Sequence, residues 1–180
     1  MTTTVFTIGH STHPIDEFIG LLQAHNIEVL IDIRTIPRSR HNPQFEQSAL
    51  AESLKNRGID YLYMKDLGGL RHPAQDSRNR GWRNESFRGY ADYMQTQNFR
   101  AGVSALIELA EQKRPAIMCA EAVPWRCHRS LVSDMLIVKG LTVLDIMPDG
   151  KLATHTLNPM AHVEGEQITY PPETMQLPGL

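Results

Sequence analysis

The chain has little cysteine, no long apolar run and almost no net charge, and each of these features excludes a class of protein. Its two cysteines, Cys119 and Cys127, are too few for a disulfide framework, so we predict reduced thiols. No apolar run approaches the ~20 residues that a bilayer span requires, and the N-terminus lacks a basic-then-apolar signal pattern. We therefore predict a cytoplasmic protein with no membrane partner. The formal net charge of −2 means that any anion-binding site must be local.

Several familiar motifs are also missing. No Gly-x-Gly-x-x-Gly fingerprint follows the first predicted strand and there is no P-loop, so neither dinucleotide binding nor nucleoside triphosphate hydrolysis has a motif to support it. Cys119, Glu121, Cys127 and His128 lack the paired two-residue spacing of zinc modules. The two cysteines also lack the compact spacing of a Cys-x-x-Cys redox pair. We predict no metal and no cofactor.

Strands and helices alternate along the first 148 residues. Apolar runs predict strands at 5–8, 28–33, 61–64, 116–118 and 142–146, and helical periodicity predicts helices at 14–26, 48–57, 90–112 with a break near Asn98, and 129–139. This order predicts a single α/β domain, with a mostly parallel sheet of about five strands and helices on both faces. Residues 149–180 contain four prolines and only short strand-like pieces, which predicts an extended arm and a loose tail.

Polar and cationic residues follow the predicted strands at the positions where those strands end. In a parallel sheet these loops meet at the carboxyl edge, where ligands bind in open α/β sheets. Planar guanidinium groups suit phosphate or carboxylate. Loop arginines also commonly serve only to solvate a surface. We predict that a small anionic, phosphate-bearing ligand is bound by a group of residues from these loops: His10, Ser11, Arg34, Arg38, Arg40, Gly68, Gly69, Arg71, Tyr90, Cys119 and Arg129.

Four residues at this edge are candidates for catalysis, namely Asp32, Glu121, Cys127 and His128. Asp32 and Arg34 share one face of a strand end, so the carboxylate either orients the guanidinium or acts as a base. Cys127 lies where a helix should begin, a position that lowers a thiol pKa, and its role is either structural or nucleophilic. Cys119 also suits a small buried strand residue.

A set of motifs resembles the domain of unknown function 488 family. They are Thr7-Ile-Gly-His-Ser11, Asp32-Ile-Arg34 with Pro37-Arg-Ser-Arg40 and Asn42-Pro-Gln-Phe45, Leu67-Gly-Gly69, Phe87-Arg-Gly-Tyr-Ala91, and Cys119-Ala-Glu121 followed by Cys127-His-Arg129. The resemblance runs from about residue 5 to about residue 163. It implies a compact α/β domain with these polar motifs gathered together, and it implies no particular reaction.

Three functions fit the pattern. The first is an enzyme that acts on a phosphorylated or nucleotide-like substrate in a pocket lined by arginine, histidine, cysteine and glutamate. The second is a non-catalytic nucleic-acid-binding module, in which Arg78, Arg80 and Arg83 contact phosphates and Trp82 stacks on bases. The third is thiol-dependent group transfer or redox sensing at Cys127. Packing of the arm against a second copy would give a homodimer.

Overall fold

A six-stranded sheet forms the centre of the molecule. The computed structural model describes residues 2–173. The strands are β1 (Thr4–Gly9), β2 (Val29–Asp32), β3 (Asp60–Tyr63), β4 (Pro115–Cys119), β5 (Thr142–Ile146) and β6 (Leu152–Thr154), and their spatial order is β3-β2-β4-β1-β5-β6. β1 to β5 are parallel, and β6 is antiparallel to β5. The predicted mostly parallel α/β sheet is confirmed, with one additional edge strand.

Helices cover both faces of the sheet because β1, β2 and β4 are apolar on both sides. α1 (Ile15–Ala24) and α2 (Gln47–Lys55) contribute Phe18 and Leu50 to the core on one face. On the other face, α3 (Glu85–Tyr93), α4 (Gln97–Gln112) and α5 (Arg129–Val138) contribute Tyr90, Leu106 and Leu131. Along β4 the side chains alternate between these two cores, as a strand period of two requires.

The helix predicted to start at Tyr90 begins earlier than expected. α3 starts at Glu85, where the side chain of Asn84 accepts hydrogen bonds from the backbone N–H groups of Ser86 and Phe87. The break before α4 lies at residues 94–96, slightly before the predicted position, and Thr96 caps α4 in the same way. Both helices therefore begin at a polar side chain that caps the first turn.

The C-terminal arm is packed against the domain over its described length. Residues 162–164 and 167–169 form a two-stranded hairpin, β7 (His162–Glu164) and β8 (Gln167–Thr169). Ile168 and Tyr170 are fully buried in the core on the side of α3 to α5. These two side chains therefore anchor the described part of the predicted arm to the domain. The end of the predicted tail, residues 174–180, lies outside the described residues.

The parallel strands end together, as the sequence predicts. Gly9 pairs with Cys119, and Asp32 lies between Met118 and Tyr63 in the register of its neighbours. Loops from distant parts of the chain therefore meet at this carboxyl edge.

Candidate active site at the carboxyl edge of the sheet

A cleft of about 410 Å³ opens at the carboxyl edge, between the loops that follow β2, β3 and β4. Its walls combine ionisable, apolar and thiol side chains from four segments of the chain. The lining residues are Arg34, Thr35, Ile36, Arg38, Gly69, Leu70, Ser86, Phe87, Tyr90, Cys119, Ala120, Glu121, Arg126, Cys127 and His128. We refer to this space as the edge cleft.

Two sulfur atoms meet at the bottom of the edge cleft. Cys119 ends β4 and Cys127 precedes α5, and the short 3₁₀ turn Pro124–Arg126 brings the chain back so that their sulfurs are in contact, with the Cα atoms 7.0 Å apart. No sequence motif pairs these two cysteines, whereas the structure places their sulfur atoms in contact. Spacing along the chain gave no sign of this pairing, because the loop reverses direction between the two residues.

His128 lies directly against Cys127. Its Nε2 is 2.8 Å from the carbonyl oxygen of Ile33, and its Nδ1 is 3.5 Å from the Cys127 sulfur. Burial lowers the pKa of His128 to about 4, although the carbonyls of Ile33 and Leu67 act in the opposite direction. The ring is therefore neutral near pH 7. We assign its proton to Nε2, which donates to Ile33, so Nδ1 is free to accept a proton from a reduced Cys127.

Arg38 and Arg126 are the exposed cations of the edge cleft. Among residues 2–173, neither side chain forms an ion pair, so both guanidinium groups are available to a ligand. The lining carboxylate is Glu121, which is also exposed. Cations therefore outnumber carboxylates along the cleft wall.

Asp32 and Arg34 form a buried pair beside the edge cleft. The Arg34 guanidinium donates to both carboxylate oxygens of Asp32, at 2.9 and 2.7 Å, and to the carbonyl of Phe45 at 2.8 Å. Tyr61 donates to Asp32 at 2.6 Å, and burial together with this carboxylate raises the pKa of Tyr61. Asp32 is fully buried and is not part of the cleft wall. This geometry suits the orienting role for Asp32, since both of its oxygens are occupied.

Arg129 is completely buried beneath the site and does not line the edge cleft. It donates to Thr7 at 3.2 Å and to the carbonyl oxygens of Glu121 and Ala122 at 3.2 and 3.3 Å. Burial lowers the pKa of Arg129 to about 10, against the raising effect of Asp145 and Glu121. Its guanidinium therefore holds the loop after β4 in place, whereas the sequence predicts that it binds the anion directly.

The remaining predicted ligand-binding residues divide between the cleft wall and its surroundings. Gly69 and Tyr90 line the edge cleft, and the Tyr90 hydroxyl donates to the carbonyl of Leu67 at 2.8 Å. Arg71 stacks on the ring of Tyr93, with its guanidinium carbon 3.6 Å from the ring centre. Gly68 and the exposed Arg40 are outside the wall.

His10 and Ser11 do not line the edge cleft, although His10 lies 3.5 Å from the guanidinium of Arg34. The His10 ring stacks on Phe45, with ring centres 4.3 Å apart, and burial lowers the pKa of His10 to about 4. Ser11 has a positive φ of 45° and donates its backbone N–H to the carbonyl of Ala120. Both residues therefore shape the turn after β1 against the loop after β4.

Comparison of the sequence with protein-family models shows which family the chain belongs to. The family model described as the domain of unknown function DUF488 matches residues 14–136, which is more than half of the 180 residues. The chain belongs to this family. No curated protein and no solved structure matches the sequence.

Two glycines in the DUF488 motifs allow loops of the site to approach each other. A Cβ on Gly9 would lie 1.6 Å from the carbonyl oxygen of Glu121, and one on Gly69 would lie 2.9 Å from Nδ1 of His128. No side chain fits at Gly9 without moving the loop after β4. The Gly9 motif precedes the stretch that the DUF488 family model matches.

Sequence patterns do not predict several of the residues that line the edge cleft of this DUF488 chain. Arg126 is one of several arginines near β4, and no sequence pattern distinguishes it from the buried Arg129. Ile36 and Leu70 are 58% and 71% exposed at the mouth of the edge cleft, although exposed apolar residues are common on protein surfaces. Ser86 and Phe87 belong to the start of α3, in a segment predicted to be a loop.

The long loop before α3 combines exposed arginines with a tryptophan that is packed on two other aromatic rings. Arg78, Arg80 and Arg83 are exposed, but Trp82 stacks on Phe87 with ring centres 4.8 Å apart and also contacts Tyr170. This partly exposed ring therefore also belongs to the packing between α3 and the arm, and its predicted role in base stacking stays a prediction.

Neither a metal cluster nor a membrane span is found in the part of the DUF488 chain that the structure describes. Within residues 2–173, no three His, Cys, Asp or Glu side chains are grouped closely enough to hold a metal ion. Over the same range, no helix has both the length and the apolar character needed to cross a bilayer. The cytoplasmic location, the homodimer and nucleic-acid binding remain predictions.

Proposed function

We propose that this DUF488 protein is an enzyme that acts on a small phosphorylated or nucleotide-like anion bound in the edge cleft. The observation that carries the proposal is the combination, in one cleft, of two guanidinium groups without ion-pair partners and a cysteine in contact with a neutral histidine. In the described chain, Arg38 and Arg126 are the groups that would bind the anion.

The charge of the cleft wall supports an anionic ligand. Arg34 is neutralised by Asp32, to which it donates two hydrogen bonds, whereas Arg38 and Arg126 meet no such carboxylate among residues 2–173. Glu121 is the one carboxylate of the wall. A ligand that carries phosphate would restore the balance of charge and would accept paired hydrogen bonds from a guanidinium.

The apolar part of the wall supports a ligand with an organic body. Ile36, Leu70, Phe87 and Tyr90 line the edge cleft together with the arginines. Phe87 is partly exposed and stacks on Trp82, and the exposed part of its ring would contact a flat ring such as a nucleotide base. A cleft of about 410 Å³ lies in the size range of small-molecule sites.

The thiol and the imidazole supply the reactive groups. With its proton on Nε2, His128 can accept the proton of reduced Cys127 at Nδ1 and return it to a leaving group. Cys127 would then be the nucleophile, and Glu121 lies on the same wall as a further acid–base group. Asp32 would act only by holding Arg34 in place.

A ligand screen with matched variants tests the proposal. Nucleoside phosphates, sugar phosphates and inorganic phosphate are titrated into the reduced protein while its melting temperature is recorded. Arg38→Ala and Arg126→Ala should each raise the ligand concentration needed for the same shift in melting temperature about tenfold. Each variant removes a charge-assisted contact to the ligand. Arg100→Ala is the matched control, since Arg100 is exposed on α4 and lines a different cavity.

Two results would contradict this function. One is the absence of any shift with phosphate-bearing ligands. The other is a shift that the Arg38 and Arg126 variants retain in full.

A further inference from the structure

The two cysteines of the edge cleft are the only cysteines in the chain. Their sulfur atoms are in contact at the bottom of the cleft, and both side chains belong to its lining. Cys119 is 2% exposed and Cys127 is 6% exposed, so the pair can be reached only from the cleft. A purely structural disulfide has no need of an adjacent imidazole or of free cations in the same space.

We propose that Cys127 and Cys119 form a dithiol–disulfide pair that exchanges two electrons with small, anionic disulfides. Cys127 is the attacking thiol and Cys119 is the resolving thiol. The inference rests on the proposed function for the anion-binding role of Arg38 and Arg126, and on the contact between the two sulfurs for the chemistry.

The reaction balances in two exchange steps. Reduced Cys127 passes its proton to His128, and its sulfur attacks one sulfur of the substrate disulfide. A Cys127–substrate mixed disulfide forms, and the other half of the substrate leaves as a thiolate, which takes up a proton. The sulfur of Cys119, on losing its proton, then attacks the Cys127 sulfur and releases the second half of the substrate as a thiol. The protein loses two electrons in forming the Cys119–Cys127 disulfide, the substrate gains two, and a dithiol reductant of low molecular weight returns the protein to its starting state.

The surroundings of the two sulfurs differ, and this difference assigns their roles. Cys127 is the more exposed of the two, lies 3.5 Å from Nδ1 of His128 and follows Arg126 in the chain. Cys119 ends a buried strand, and besides the Cys127 sulfur its own sulfur lies 3.8 Å from the carbonyl oxygen of Glu121. A thiol in contact with an imidazole, in a cleft whose wall also carries an exposed arginine, loses its proton more readily, so Cys127 attacks first.

The shape and charge of the site define the substrate class. Thiols this deeply placed do not meet the surface of a folded protein, whereas a small disulfide fits into the edge cleft. Arg38 and Arg126 favour a substrate with carboxylate groups over a neutral one. Oxidised glutathione is therefore a suitable anionic probe, and hydroxyethyl disulfide is its neutral counterpart.

Intact mass spectrometry tests the order of attack. The reduced protein is mixed with oxidised glutathione and quenched with acid. The wild type should lose two hydrogens as its internal disulfide forms. Cys119→Ala should accumulate one glutathione adduct, whereas Cys127→Ala should form adducts at least about tenfold more slowly. Because the chain has no third cysteine, every change in mass belongs to this pair.

The comparison of the two disulfides tests the substrate class. Wild type should react faster with oxidised glutathione than with hydroxyethyl disulfide once both rates are divided by those of free cysteine. Arg126→Ala should lose most of this preference, whereas Arg100→Ala should keep it. Circular dichroism confirms that each variant is folded before its rate is used.

The outcomes separate this inference from the proposed function. Equal adduct rates for the two cysteine variants, or a wild type that forms no internal disulfide, would overturn the redox pair and leave phosphate binding intact. If phosphate-bearing ligands caused no shift in melting temperature while thiol–disulfide exchange proceeded as expected, the proposed function alone would be overturned. A preference for oxidised glutathione that survives in Arg126→Ala would refute the role of that arginine in substrate selection.

Discussion

His155 joins the C-terminal arm to the base of the site, and its titration should make stability depend on pH. Its Nε2 lies 2.9 Å from Asp134 on α5, and its Nδ1 lies 3.5 Å from Asp145 on β5. Both carboxylates have further donors, because Tyr170 donates to Asp134 at 2.7 Å and Thr7 donates to Asp145 at 2.5 Å. A ring between two carboxylates has to donate from both nitrogens, which requires the protonated form.

The size of the effect follows from the shift in pKa. Burial lowers the pKa of His155, but the hydrogen bonds and charges of Asp134 and Asp145 outweigh it and raise the value from 6.5 to about 9. At 1.36 kcal/mol per unit this is at most about 3 kcal/mol, and about 2 kcal/mol after allowing for solvent at the ring, whose side chain is 12% exposed. A raised pKa stabilises the folded state fully below pH 6.5, and this contribution is lost as the pH rises to about 9.

Between about pH 4 and pH 6.5, the free energy of unfolding should instead increase with pH. Burial lowers the pKa of His10 and of His128 from 6.5 to about 4, so the folded state takes up fewer protons than the unfolded chain between these values. Their contribution is present above pH 6.5 and is lost as the pH falls to about 4. The free energy of unfolding should therefore be greatest near pH 6.5.

Urea unfolding followed by circular dichroism at half-unit steps from pH 4 to pH 9.5, with a reductant present, measures this profile. His155→Gln keeps one hydrogen-bond donor but does not titrate. Its unfolding free energy should be about 2 kcal/mol below that of the wild type at pH 6.5, because two buried carboxylates lose their cation. The two proteins should converge towards pH 9.5, and the acid slope should be common to both. If the unfolding free energies of the wild type and His155→Gln differed by the same amount at every pH from 6.5 to 9.5, His155 would not be the titrating group.

Three further changes test how the site is held together. Gly9→Ala should lower the melting temperature by about 10 °C, because the added Cβ would overlap the Glu121 carbonyl; an unchanged melting curve would contradict the close approach. Asp32→Asn should cost about 3 kcal/mol in urea unfolding, since it leaves the Arg34 guanidinium buried beside a neutral group, and a loss below 1 kcal/mol would count against the pair. Arg129→Met should cost about 2 kcal/mol, because two loop carbonyls lose their donor, and a variant as stable as the wild type would show that the loop does not need it.

For the arginines of the site, the sequence predicts the location but not the partners. Arg34, Arg126 and Arg129 all follow strands and all lie near the carboxyl edge, as the pattern predicts. The pattern cannot say which of them finds a carboxylate or a carbonyl. Arg34 meets Asp32, Arg129 meets the backbone of the loop after β4, and Arg126 forms no ion pair within the described range 2–173. Pairing of this kind depends on positions in space that spacing along the chain does not specify.

The sequence by itself determined the class of fold and the edge at which polar residues gather. Apolar runs with a period of two or of 3.6 specify strands, helices and their buried faces, and parallel strands end at one edge whatever the loops contain. The tertiary structure alone decided that Cys119 meets Cys127, that Trp82 is packed, and that Tyr170 anchors the arm. Those contacts join residues through loops without periodicity, and which side chains meet there is fixed only when the whole core is packed.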